Sequence, residues 1–133
     1  MDSNAITLRT SIIGHELRQA HSLLEWFLLQ QTKVNGFRKA IFSGLPTVEL
    51  ARVIHDYVIP FPKCNGLYHV SSEPINKFDL LNLIAQEYSM VIDINIADEL
   101  IIDRSLDSSK FNAATGFRAK SWKEMLRVMR EFG

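Results

Sequence analysis

The most constraining feature of the sequence is the apolar stretch ITLRTSII at residues 6–13, which is typical of a β-strand. Its aliphatic side chains, Ile6, Leu8, Ile12 and Ile13, need cover on both faces, as a strand inside a parallel sheet has. Because only a few residues precede this stretch, the neighbouring strands must come from later in the sequence or from another piece of protein.

Beyond this strand, helical and strand-like patterns alternate, which predicts an α/β fold. Helices are predicted in HSLLEWFLLQQ, LPTVELARVIHDYVI, NKFDLLNLIAQEY, SSKFNAAT and WKEMLRVMREF, and strands in FRKAIFSG, GLYHVSS and VIDINIAD. The expected helix-capping residues are Ser22, Thr47, Asn76, Asp107 and Ser121, and Gly116 is expected to end the fourth helix. We find no repeat or linker and expect one domain over residues 1–133.

Composition and charge argue against several functional classes. Of the 133 residues, 47% are hydrophobic and 23% are charged, and the formal net charge is zero. A neutral chain lacks the basic field that holds a nucleic-acid backbone, so no nucleic-acid partner is expected. No apolar run approaches the roughly 20 residues that span a bilayer, and the first residues lack the pattern of a secretion signal. We therefore expect no membrane partner and a cytoplasmic location.

The sequence carries no complete catalytic or cofactor motif. Its six glycines are too widely spaced for a phosphate loop or a dinucleotide fingerprint, and its four histidines show no metal-ligand spacing. None of the three tyrosines has a lysine four positions later, so the Tyr and Lys pair of many hydride-transfer enzymes is missing. We predict no catalytic residue and no metal ligand in this chain, and we interpret its single cysteine, Cys64, as a free thiol.

Polar residues at the carboxyl end of the first predicted strand are candidate ligand-binding residues, because open α/β sheets bind ligands there. These residues are Arg9, Thr10, Ser11, Gly14, His15 and Glu16. A capped strand end explains them equally well.

Two further segments contain candidates. In FSGLPT, Gly44, Pro46 and Thr47 separate a strand from a helix, and a structural turn made possible by Gly44 is the favoured interpretation. In DRSLDSSK, Arg104 could pair bidentately with a phosphate, and a surface salt bridge is the equal alternative.

In their order, these segments resemble the carboxyl-terminal portion of the extended short-chain dehydrogenase/reductases, closest to the dTDP-4-dehydrorhamnose reductase group. The similar segments are LRTSIIG, FSGLPTVELARVI, GLYHVSSEPINKFDLLNLIA and LDSSKFNAATGF followed by SWKEML, which cover nearly the whole chain. The resemblance implies an α/β substrate-binding portion of a nucleotide-sugar reductase, or of an epimerase or dehydratase. It also implies that the amino-terminal Rossmann half, with the dinucleotide loop and the catalytic Tyr and Lys, is absent. A non-catalytic α/β binding module is the remaining alternative.

The resemblance also implies roles for the candidate residues. Arg9, Thr10 and Ser11 match residues beside the nicotinamide end of NADP or NAD, and Gly14, His15 and Glu16 match the loop leading to the substrate. Gly44, Pro46 and Thr47 match a Gly-x-Pro-Thr turn near the nucleotide-sugar, and Arg104 matches a substrate-phosphate arginine, although DRS replaces the usual Arg-Pro order.

The absent half predicts two further properties. The chain alone is expected to bind no cofactor and to catalyse nothing, because the parent enzyme's cofactor loop and proton donors lie elsewhere. It is also expected to form a homo-oligomer, through the bared edge of ITLRTSII or through the apolar face of SLLEWFLL.

Overall fold

The computed structural model describes residues 6–13, 23–60 and 66–132, which form alternating strands and helices. The strands are β1 (Ile6–Arg9), β2 (Ile12–Ile13), β3 (Lys33–Phe37), β4 (Ala40–Phe42), β5 (Leu45–Pro46), β6 (Gly66–His69), β7 (Ile75–Asn76), β8 (Asp93–Ala97) and β9 (Ile102–Asp103). The helices are α1 (Leu23–Leu28), α2 (Thr47–Val53), α3 (Lys77–Glu87), α4 (Ser109–Thr115) and α5 (Trp122–Phe132). The α/β class expected from the sequence is confirmed.

The strands pair mostly in parallel. β1 pairs with β6, β2 with β5 and β3 with β8, while β4 lies between a parallel neighbour, β9, and an antiparallel one, β7. Parallel neighbours bring their carboxyl ends to the same edge of a sheet. The residues that follow β1 and β6 therefore lie side by side, and so do those that follow β4 and β9.

The predicted first strand is in fact two strands. β1 ends at Arg9 and β2 begins at Ile12, with Thr10 and Ser11 between them. Half-buried and exposed residues alternate along β1, and the Ile12 side chain is 56% exposed. Cover on both faces was the wrong expectation for β1, because Thr7 and Arg9 are exposed on one of its faces.

The sequence pattern predicts β4, β6 and β8 correctly but misses β3 and β9, and also the two-residue strands β5 and β7. β3 contains Lys33, Asn35 and Gly36, which are residue types depleted in strands, yet it pairs with β8 along its whole length. A Cβ added at Gly36 would lie 2.9 Å from the Phe78 Cα of α3. Glycine is therefore needed here because a helix backbone approaches the strand closely.

The predicted helix caps Asn76 and Ser121 are confirmed. Their side-chain oxygens accept hydrogen bonds from the backbone N–H groups of Asp79 and Glu124, at 2.8 and 3.2 Å. Asp107 was the wrong cap for α4, because Ser108 holds the cap position, and Asp107 instead accepts from Ser109 N at 2.9 Å in the turn before the helix. Gly116 ends α4 in the left-handed region at φ 79°. The predicted cap Ser22 lies outside the described residues.

Helix α2 differs from its prediction at both ends. Thr47 is its first helical residue and not its cap, because the cap position is held by Pro46, which has no side-chain hydrogen bond to offer. At the other end α2 continues as a π-helical turn over Ile54–Val58, in which Ile59 N donates to Ile54 O at 3.0 Å. At the start of this turn the Ile54 side chain is 38% exposed, although the preceding Val53 is buried.

The hydrophobic core fills the space between the strands and the helices. The large apolar side chains that are fully buried are Leu24, Phe27, Leu45, Leu80, Leu81, Ile84, Phe111, Phe117, Met125 and Leu126. Helix α3 packs against α5 on one side and against β3 and β8 on the other. None of the helices described is long and apolar enough to cross a membrane.

We expect Gly36→Ala to lower the free energy of unfolding by about 1–3 kcal/mol, the usual cost of overpacking. The added methyl group would press on the Phe78 backbone, which cannot move without shifting α3. Urea unfolding followed by circular dichroism measures the change. Asn35→Ala, at the exposed neighbouring position of β3, is the control. Equal stability of the two variants would contradict the close approach of α3.

Candidate binding site at the strand ends

Four polar segments converge at the carboxyl ends of the parallel strands. They are residues 9–11, 43–47, 70–72 and 104–106, which end or follow β1, β4, β6 and β9. We call this group the strand-end junction. Hydrogen bonds connect all four segments, so the sequence candidates within the described residues are brought to one place.

Buried Ser43 connects three of the segments. Its carbonyl oxygen accepts from Ser72 N at 2.8 Å, and its hydroxyl oxygen accepts from Leu106 N at 2.8 Å. The Ser71 hydroxyl donates to the Leu106 carbonyl oxygen at 2.9 Å. Ser43 is 2% exposed, so water competes little for these bonds.

Gly44 connects the fourth segment. Leu45 N donates to the Ser11 carbonyl oxygen at 2.8 Å, and the Ser72 hydroxyl donates to the Gly44 carbonyl oxygen at 2.7 Å. Residues 43 and 44 form neither a turn nor a bend, and the backbone of Gly44 is not in the left-handed region, so the expected role in a sharp turn is wrong. Glycine is required because the Ser11 carbonyl oxygen and the Phe42 ring occupy the space of a Cβ.

The first predicted group lies partly at the surface. Arg9 and Ser11 are exposed and Thr10 is half-buried, with its hydroxyl donating to the Ser11 carbonyl oxygen at 3.2 Å. The Arg9 carbonyl oxygen accepts from Val70 N at 3.0 Å, and Arg9 is the register partner of His69 in β6. The Arg9 side chain is therefore exposed, whereas the Arg9 backbone is held in place by its pairing with β6.

The other predicted residues differ in their exposure. Pro46 is buried in β5, whereas Thr47 is exposed at the start of α2. Gly14, His15 and Glu16 lie outside the described residues.

Arg104 is exposed at the edge of the junction, and its backbone N donates to the Ile41 carbonyl oxygen at 3.1 Å. The predicted surface salt bridge does not form between Arg104 and any residue in the described part of the chain. The neighbouring aspartates accept hydrogen bonds from serines instead. The Ser105 hydroxyl lowers the pKa of Asp103, and the Ser109 hydroxyl lowers the pKa of Asp107.

Lys110, the other cation of this segment, is held away from the aspartates. Its Nζ donates to the Leu67 carbonyl oxygen at 3.1 Å and lies 4.5 Å from the centre of the Tyr68 ring. Arg104 is thus the exposed cation of this segment that is available to an anionic ligand at the strand ends.

The serines of the junction are the residues that sequence reasoning missed. Ser43, Ser71 and Ser72 are all buried, and each holds a backbone group of another segment. The available signal was weak: one serine directly follows β4 and the other two come just after β6. The structural role of these serines becomes visible only when the pairing of the strands is known.

Other surface features lie away from the junction. A depression of about 320 Å³ between α2 and α5 is lined by Val48, Glu49, Ala51, Arg52, Lys120, Val128 and Phe132. Its buried Glu49 carboxylate is paired with Arg52, which raises the pKa of the guanidinium. Residues 6–13, 23–60 and 66–132 contain no group of three or more His, Cys, Asp or Glu residues placed to hold a metal ion.

Neither a protein-family model nor a curated protein matches the sequence. Solved structures match its fold. The dTDP-4-dehydrorhamnose reductase from Bacillus anthracis, in complex with NADP, has a TM-score of 0.72 and 16% identity, over 96% of this chain and 48% of its own. The UDP-N-acetylglucosamine 4-epimerase from Bacillus cereus has a TM-score of 0.74 and 15% identity, over 96% and 47%.

A third match is a hypothetical dTDP-4-dehydrorhamnose reductase from Sulfolobus tokodaii, with a TM-score of 0.67 and 21% identity, over 92% of this chain and 46% of its own. The chain thus spans about half the length of the structures it matches. The resemblance read from the sequence is confirmed at the level of the fold.

We expect Ser43→Ala to lower the free energy of unfolding by about 1–3 kcal/mol, because Leu106 N would lose its acceptor inside the junction. Urea unfolding gives the free energy, and hydrogen exchange of the Leu106 amide reports the local loss. Ser109→Ala, which removes a hydroxyl at the exposed surface, is the control. An unchanged Leu106 exchange rate in Ser43→Ala would contradict the role of Ser43.

Proposed function

We propose that this chain is the substrate-binding portion of an NAD(P)-dependent nucleotide-sugar reductase of the dTDP-4-dehydrorhamnose reductase type. The proposal rests on the strand-end junction, which holds the carboxyl ends of four strands together with Arg9 and Arg104 exposed. Open α/β sheets bind their ligands outside these ends. A guanidinium suits the diphosphate of a nucleotide-sugar, because its planar donors match phosphate oxygens.

The proposed roles combine the family resemblance with the exposure of the described residues. Arg104 binds the diphosphate, and Arg9, Thr10 and Ser11 lie beside the nicotinamide end of the cofactor in the whole enzyme. Gly44 and Pro46 shape the backbone next to the nucleotide-sugar, while the exposed Thr47 hydroxyl offers it a hydrogen bond. Gly14, His15 and Glu16 are further proposed substrate-binding residues.

The described residues offer little support for a dinucleotide phosphate. Gly44 is the described glycine nearest to a helix start, and the space beside it is filled by the Ser11 backbone and the Phe42 ring. NADP or NAD would therefore be held mainly by the other half of the enzyme, where it would supply the hydride. The part played by this chain is to bind and orient the nucleotide-sugar.

Two alternatives share part of this support. An epimerase or dehydratase would use the same nucleotide-sugar site, and a nucleotide-sugar epimerase is among the matched structures. A non-catalytic α/β module would account for the missing Tyr and Lys pair. An upstream reading frame that encodes a glycine-rich strand-turn-helix and a Tyr-x-x-x-Lys helix would favour an enzyme.

We expect Arg104→Ala to weaken the binding of dTDP by about 1.5–3 kcal/mol, roughly 10- to 150-fold, because charge-assisted hydrogen bonds to phosphate are lost. Isothermal titration calorimetry on the purified chain measures the affinity. Arg127→Ala removes an exposed arginine of α5 that pairs with Glu131, and should leave dTDP binding unchanged. Equal affinities of the wild type and Arg104→Ala would remove Arg104 from the site.

We expect the purified chain to show no reductase activity. Hydride transfer needs a held cofactor and an acid within hydrogen-bond reach of the sugar oxygen, and the sequence lacks both the dinucleotide fingerprint and the Tyr and Lys pair. The test adds NADPH and a dTDP-4-keto sugar and follows the absorbance of the reduced nicotinamide. The Bacillus anthracis reductase is the positive control and heat-denatured chain the baseline. Steady oxidation above that baseline would mean that this chain contains a catalytic group of its own.

A further inference from the structure

Strands β8 and β9 form an outer edge of the structure. β8 pairs with β3 and β9 pairs with β4, and the described residues place no second strand beside either of them. The Ala97 carbonyl oxygen accepts from Arg38 N at 3.0 Å, so the backbone groups of Ala97 point toward the β3 side. Successive residues of a strand direct their backbone groups to opposite edges. Those of Ile94 and Ile96 therefore point outward.

Apolar side chains are exposed along the same edge. Val91 just before β8 is 97% exposed, Ile96 within β8 is 53% exposed, and Ile101 just before β9 is 75% exposed. Proteins often protect such an edge with lysine or proline, because free backbone groups invite a further strand. Residues 91–103 contain neither lysine nor proline. The edge therefore lacks these two protections and is suited to accept a strand.

The charged residues of this edge are all acidic. Residues 91–103 include no basic residue, and their exposed carboxylates are Asp93, Asp98, Glu99 and Asp103. Asp98 pairs with Arg38 at 2.7 Å, whereas Asp93 and Glu99 form no ion pair with any residue that the structure describes. A strand with positive charge is attracted to this edge, and a strand with negative charge is repelled.

The two faces of β8 differ in chemistry. One face carries the exposed carboxylate of Asp93, and the other carries Ile94 and Ile96. A Cβ added at Gly36, the register partner of Ile96, would meet the Phe78 side chain, so the isoleucines lie on the face toward α3. An added strand continues this alternation. Its residues would lie beside a carboxylate on one face and beside isoleucine on the other.

We propose that the outer edge of β8 binds an extended segment of a partner protein in which basic and apolar residues alternate. The backbone of the segment pairs with Ile94 and Ile96, its basic side chains lie beside Asp93, and its apolar side chains lie beside Ile96. In such strand addition the main-chain hydrogen bonds give affinity and the alternating side chains give selectivity. The inference does not depend on the proposed function, since β8 contains none of the residues assigned to nucleotide-sugar binding.

A second copy of this chain is a poorer occupant of the edge. Two copies related by a two-fold axis would pair through the same residues, 91–103 of each. Their carboxylates would then approach one another with no basic residue in either segment to offset the repulsion. A basic segment meets no such repulsion, so charge favours it over self-association.

The test uses a fluorescein-labelled peptide of alternating lysine and valine, KVKVKVKV, and measures its affinity for the purified chain by fluorescence anisotropy. Saturating peptide should slow hydrogen exchange of the Ile94 and Ile96 amides at least about tenfold, because pairing covers these outward N–H groups. A peptide that is N-methylated at every residue keeps its charge but donates no backbone hydrogen bond. We expect it to bind at least about tenfold more weakly.

The double variant Asp93→Asn/Glu99→Gln removes two charges from the edge and should weaken binding of the peptide about three- to tenfold. Glu124→Gln/Glu131→Gln removes two exposed carboxylates of α5, is the matched control, and should leave the affinity unchanged. Equal weakening by the two double variants would show attraction to negative charge in general and would contradict a site at β8.

Two further outcomes overturn the proposal. The first is a failure of the parent peptide to bind, or equal binding of the N-methylated peptide, because either result excludes backbone pairing. The second is slower exchange of the Ile94 and Ile96 amides as the chain is concentrated without peptide, which would assign the edge to a second copy.

Discussion

The hydrogen bonds of Ser43 are the interaction on which the candidate site depends. Ser43 binds Ser72 through its carbonyl oxygen and Leu106 through its hydroxyl, so three segments far apart in the sequence share one buried residue. Buried polar groups are costly when they lack partners, which favours the arrangement in which every group of the junction is paired. The exposed residues Arg9 and Arg104 belong to segments of this strand-end junction.

The parts of the structure that sequence reasoning predicts are those determined locally. Helix caps such as Asn76 and Ser121 act through residues three positions away, and Gly116 ends its helix through its own backbone conformation. Alternating apolar residues likewise indicate β8. In each case the cause lies within a few residues of the effect, so the pattern alone is sufficient.

The parts that it misses are determined by distant residues. β3 is a strand because β8 pairs with it, and Gly36 is required because α3 passes close by. Gly44 makes room for the Ser11 backbone rather than a sharp turn, and the role of Ser43 exists only once β4 and β9 are side by side. The candidate residues Arg9 and Arg104 were found because strand ends in α/β folds are binding positions, not because the sequence showed their neighbours.

In the strand-end junction, the residues that hold the backbone are buried, while the side chains that could contact a ligand are exposed. This separation affects how such a site changes during evolution. The backbones at Arg9, Thr47 and Arg104 are held by strands, a helix and buried serines, while their side chains are exposed. Substitutions at these three positions alter what the surface recognises at little cost in stability. Related proteins that keep these buried hydrogen bonds can therefore differ in the ligand they prefer while they retain the fold. Ser43 should vary far less among them than the exposed residues it supports.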